Sequence, residues 1–265
     1  MTTLLIALAA VTATGAAIRS TWSPCGLSML STITPMAEMS RNRRWGLTAA
    51  WFVLGAVLGG ATLGAGAALL ALAVGALDAS VATLVGVGVV LAGLAVALDL
   101  GLLGRPMPHH RRQVDEVWLD QYRSWVYGVG FGFQIGTGLM TYIMTSAVYL
   151  TVCLAALTGR PAVAFGICVL FGLVRGLAIF LGIRLTDPVR LRTFHRRCEE
   201  AGPAVRHAVI GLQMAVAVTA AAATWGVLGA VLTAAVVAVL AAATTIGDRE
   251  PGRALGTEPS CAAEG

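Results

Sequence analysis

Residues 20–35 read STWSPCGLSMLSTITP, inside an apolar run that begins near the N-terminus. Pro24 removes a backbone donor and interrupts any helix that runs through it. In lipid every backbone polar group needs a partner. A break of this kind, with a thiol at Cys25, is tolerated only where protein encloses it. The fold therefore turns on whether the flanking runs are membrane spans.

Composition answers that. Of 265 residues, 57% are hydrophobic and 12% charged, against roughly 25% charged in soluble domains. The charges cluster between neutral runs longer than the ~18–20 residues that cross hydrocarbon. The runs cover 3–37, 46–77, 80–103, 126–157, 162–185 and 208–245. As one helix the last would be about 57 Å long, nearly twice a ~30 Å core. Trp225-Gly226 near its middle predicts two spans, with one long tilted span as the alternative. The expectation is an all-α integral membrane protein of six to seven transmembrane helices. The first run lacks the basic start of a signal peptide and reads as an uncleaved span.

The net charge of +5 comes from arginine, with no lysine in the chain. Arginines 41, 43 and 44, then 105, 111, 112 and 123, then 190, 192, 196, 197 and 206 mark alternate loops. By the positive-inside rule these loops are cytoplasmic and the N-terminus lies outside. A bacterial-type inner (plasma) membrane is expected, and nucleic acid is not. No zinc-type cysteine spacing, phosphate loop or catalytic triad appears, so neither metal nor cofactor is implied. His109-His110 reads as part of a solvated basic loop. Residues 114–125, with Trp118 and Trp125, read as an amphipathic interfacial helix.

Three spans on each side of the middle loop give halves of opposite polarity. That arithmetic predicts a 3+3 inverted-topology repeat with broken first and fourth helices. The halves are 1–104 and 122–223 of one membrane domain over 1–246, with an extra helix at 228–246 and a disordered polar tail at 247–265. Setting Gly26-Leu27 on Gly138-Leu139 pairs Pro24 with Gly136 and Cys25 with Thr137. Gly136 and Gly138 read equally well as small residues for close helix packing. Gln134 adjoins this stretch. Arg175, in the fifth run, is costly in lipid and must pair, face a cavity or snorkel. Asp99 is its candidate partner.

Ser23-Pro24-Cys25 followed by Pro35, the run from Trp51 to Gly55, and Phe131-Gly132 together resemble the CcdA family and the DsbD membrane domain. The resemblance covers about residues 1–210. It implies an inverted-repeat thiol-disulfide carrier, with Cys25 catalytic and a thioredoxin-like or other thiol protein as partner. In that family a second cysteine completes an intramembrane disulfide. Here Thr137 or Gly138 stands in its place. Thiol exchange needs a partner sulfur. Cys153 lies about 24 Å further along a helix, beyond the ~7 Å Cα reach of a disulfide. Cys153 and Cys168 read as apolar filler.

Two functions follow. Either Cys25 forms a mixed disulfide with a partner in a redox or maturation role, or the scaffold transports a small solute or ion. In the second case Pro24, Gly26, Gln134, Gly136, Thr137, Gly138, Arg175 and Asp99 are the cavity candidates. An assembly factor without turnover is a third option. Whether the chain is an enzyme stays open.

Overall fold

A computed structural model describes residues 2–102, 121–141 and 143–247, with side chains through Val236. The elements are α1 (Thr2–Thr21), α2 (Pro24–Thr32), α3 (Pro35–Ser40), α4 (Trp45–Gly75), α5 (Val81–Asp99), α6 (Ser124–Thr137), α7 (Ala147–Leu157), α8 (Pro161–Leu177) and α9 (Pro188–Gly247). A 3-10 segment, Ala178–Arg184, continues α8. Among the described residues the regular structure is all helical.

Local chemistry sets the boundaries. Pro24 and Pro35 occupy first-turn positions, where the missing N–H costs nothing. Ser23 and Thr34 cap those helices by accepting from the Gly26 and Ala37 amides, each at 3.1 Å. Gly138 ends α6 with φ 72°, a left-handed geometry that glycine adopts without strain. Gly226, with φ 67° and ψ −157°, interrupts α9, at the site where the sequence predicts a break.

Among the described residues five helices are long and apolar enough to cross a membrane: α1, α4, α5, α8 with its 3-10 extension, and α9. The fourth apolar run divides into α6 and α7, of 14 and 11 residues, with its break at the glycine stretch where the sequence predicts one. At 1.5 Å per residue each is short of a ~30 Å core.

α4 packs between α6 and α8, α8 also packs on α1, and α9 packs on α5. The contacts are glycine-mediated and backbone-close. Gly136 and Gly132 press on the Ala56 and Phe52 carbonyls. Gly60 meets the Cys168 carbonyl and Gly172, and Gly172 in turn meets the Ala56 carbonyl and Gly60. Gly64 meets Phe165, while Gly176 meets Val53. The buried core is alanine-rich, whereas Leu69, Leu72, Val90 and Phe180 face outward. Small residues inside and large aliphatics outside suit helices that associate in lipid.

The third arginine group, at 190–206, reads from the sequence as a loop. It is instead the start of α9. Asp187 caps it by accepting from the Arg190 amide at 2.8 Å. The Trp22 indole donates to the Cys198 carbonyl at 2.9 Å, and Ser31 hydrogen-bonds His195. Packing against α1 and α2 thus sustains a helix that hydropathy does not signal. His109-His110, most of the 114–125 segment and the 248–265 tail lie outside the described residues.

Candidate functional site

Two helix breaks converge on one arginine. In the first half, Pro24 lacks the N–H that would bond the Ser20 carbonyl four residues earlier. That carbonyl receives the Ser23 amide instead, at 3.1 Å. In the second half, the Ile135 carbonyl receives the Gly138 amide, also at 3.1 Å. Both carbonyls keep spare acceptor capacity at a helix C-terminus, where positive charge is favoured.

Arg175 supplies that charge from α8. Its Nη1 donates to the Ile135 carbonyl at 2.6 Å. Its Nη2 donates to the Ser20 carbonyl at 3.4 Å and to Thr141 Oγ1 at 3.2 Å. The guanidinium carbon sits 5.9 Å from the centre of the Phe171 ring, within cation–π range. Arg175 is 2% exposed. One guanidinium thus ties both broken helices, and every acceptor it uses is neutral.

Beside it lies a cavity of about 20 Å³, lined by Thr21, Gly26, Met29, Leu30, Phe52, Ile135, Arg175, Ala178 and Ile179. Cys25 occupies the first turn of α2, is 2% exposed, and is not in a disulfide. It lies within electrostatic reach of Arg175.

The structure gathers some of the sequence candidates and separates others. Gly26 and Arg175 share the cavity wall, with Pro24 and Cys25 adjoining. Gly136 presses on α4, Thr137 Oγ1 donates to the Phe133 carbonyl at 2.8 Å, and Gly138 lies against the Phe171 ring. These three thus seat α6 on its neighbours and are not part of the cavity lining. Gln134 is half-buried on α6, also outside that lining.

The Arg175–Asp99 pair expected from the sequence is not formed. Asp99 instead accepts from Thr145 Oγ1 at 2.6 Å, the Ser146 amide at 2.7 Å and Gln213 Nε2 at 3.0 Å. It caps the start of α7, where a carboxylate meets the positive end of the helix. The Arg206 side chain donates to its backbone carbonyl at 2.9 Å.

Sequence reading missed Glu38, which is 0% exposed. Its carboxylate accepts from Tyr127 at 2.6 Å and from Thr48 at 2.7 Å. Arg41 approaches to 3.8 Å, and Arg43 stacks over the Tyr127 ring. Glu38 is the first acidic residue in the chain. That isolation, at the edge of an apolar run, is the signal that could have found it.

Comparison with known proteins adds a family. The methylamine utilization protein MauF of Paracoccus denitrificans is 32% identical over 202 residues, covering 74% of this chain and 71% of that protein. The chain belongs to the MauF family. MauF of Paracoccus versutus is 32% identical over 186 residues, covering 68% of the chain and 66% of the relative. For MauF of Methylophilus methylotrophus the figures are 33%, 169 residues, 60% and 56%. The chain thus spans between about half and three quarters of the length of these MauF proteins. No family model and no solved structure matches it. These relatives bear the MauF name; the CcdA and DsbD likeness stays with the motif residues that suggested it.

Proposed function

We propose that this MauF-family protein is a multi-pass inner-membrane component serving methylamine utilization. Its role is thiol-linked maturation of another protein, with Cys25 as the working group. The observation that carries this reading is the position of Cys25. It stands in the first turn of a broken helix, at a protein-enclosed seam, beside a buried guanidinium.

The step balances with one sulfur. The Cys25 thiolate attacks a partner's disulfide, forms a mixed disulfide and releases the partner's other thiol. A dithiol protein then attacks that mixed disulfide, releasing the first partner reduced. Its second thiol displaces Cys25 and closes a disulfide of its own. Two electrons pass from dithiol to disulfide, and Cys25 returns as a thiol.

The scaffold for this role is an inverted repeat, with the N-terminus outside by the arginine rule. The spacing that sets Gly26 on Gly138 also sets Gly60 on Gly172, Ala56 on Cys168, Val53 on Phe165 and Gly64 on Gly176. Under it, the Gly60–Cys168 contact exchanges with Gly172–Ala56, and Gly64–Phe165 with Gly176–Val53. A two-fold relation between the halves supports the reading as 3+3.

Trapping tests the thiol role. A variant keeping Cys25 as its sole cysteine is expressed with a partner pool whose resolving thiols are replaced. A mixed disulfide lost on Cys25→Ser is expected; exhaustive trapping without an adduct overturns the reading. Transport of a small ion is the second reading, favoured by the absence of a carboxylate partner for Arg175 among the described residues. Uptake into proteoliposomes that is indifferent to Arg175→Gln removes Arg175 from such a path.

A further inference from the structure

Arginine keeps its proton in proteins, so Arg175 carries a full positive charge at 2% exposure. A buried charge is stable only when it is paired. Its acceptors are the Ile135 and Ser20 carbonyls and the Thr141 hydroxyl, all neutral. Its Nε has no hydrogen-bond partner although it is buried. Asp99 and Glu38 are engaged elsewhere. The counter-charge of Arg175 is therefore missing from the carboxylates of the described chain.

A place for it exists. Arg175 lines the cavity of about 20 Å³, and ~10–15 Å³ is enough for one water-sized particle. The N-terminal turn of α2 contributes Gly26 to the same wall, and a helix N-terminus carries positive potential. The rest of the wall is mostly aliphatic and aromatic: Met29, Leu30, Phe52, Ile135 and Ile179. Such a pocket has room for a single small particle, a water or a monatomic anion.

We propose that the seam binds a monovalent anion of halide size, held by Arg175 Nε and favoured by the positive potential of the α2 N-terminus, as the counter-ion of the arginine that joins the two broken helices. The Cys25 sulfur lies within electrostatic reach of the same guanidinium, so the Cys25→Ser variant is needed to separate this site from the thiol reading. Trapping of Cys25 can fail while anion binding persists, and the reverse.

The test uses the full chain in lipid nanodiscs. Thermal unfolding is followed in sodium chloride or bromide, against sodium gluconate at equal ionic strength. Gluconate is too large for the cavity. The midpoint is expected to rise saturably with halide by several degrees, equally in the wild type and in Cys25→Ser. The rise is expected to vanish in Arg175→Gln and in the cavity-filling variant Ile179→Phe, which keeps the test open if the arginine variant does not fold. Equal midpoints in both salts for the wild type overturn the proposal. If only Cys25→Ser then responds to halide, the Cys25 sulfur is the counter-charge; if nothing responds, the cavity holds water.

Discussion

The break after α1 and the break after α6 do the same thing with different chemistry. In the first, Pro24 deletes a donor and Ser23 caps the next helix. In the second, Gly138 turns the chain at φ 72° and no proline is present. Each leaves a carbonyl in the last turn of its helix, Ser20 in one and Ile135 in the other. The two Nη atoms of Arg175 take one each. The comparison teaches that backbone satisfaction, rather than motif identity, relates the two sites. A cysteine-bearing motif in one half and a glycine-bearing one in the other can form two sides of a single seam.

Three substitutions sharpen or break that comparison. The largest effect is expected at Gly136, which seats the second break on α4. Its Cβ would enter the Ala56 backbone, which cannot yield. Gly136→Leu is expected to cost about 3 kcal/mol or more in denaturant unfolding. Gly166→Ala, where open space surrounds the position, is expected to stay within about 1 kcal/mol. Equal effects at the two positions would mean that α6 is not seated where described.

Arg175→Leu comes next. It removes the shared donor but also relieves a buried charge. A net loss of about 2 kcal/mol is expected, with Arg175→Lys recovering part of it by serving one break. Full recovery by lysine would mean that the two-pronged geometry is immaterial. Pro24→Ala is expected to be the mildest, below about 1 kcal/mol. It restores an N–H for the Ser20 carbonyl and weakens the call on Arg175 from the first break only. A loss as large as that of Arg175→Leu would show that Pro24 acts by more than deleting a donor.

Much of the scaffold was legible because hydropathy and breakers act locally. The apolar runs, the interruption at Ser23–Cys25 and the one at Gly226 all follow from residue type. The break of the fourth run was legible from the Gly136-Thr137-Gly138 stretch and falls at Gly138; the shortness of α6 and α7 was not, because the run is apolar throughout. The basic start of α9 was taken for a loop, since its helix depends on contacts with Trp22 and Ser31 far away in sequence. Arg175 was legible as a costly residue, but its partners were not. Backbone carbonyls do not differ from one sequence to another, so residue types alone point to a carboxylate, Asp99. Glu38 escaped because a lone acid beside arginines reads as a loop residue until Tyr127 and Thr48 are brought to it.

The central claim is that Arg175 ties the two broken helices together beside Cys25. The direct measurement is the labelling rate of Cys25 by a membrane-permeant maleimide in native membranes, in a variant with Cys153, Cys168, Cys198 and Cys261 replaced by serine. Slow labelling is expected with Arg175 present, and at least tenfold faster labelling in Arg175→Gln protein that remains monodisperse. Fast labelling with Arg175 in place, or a rate that Arg175→Gln leaves unchanged, would contradict the account.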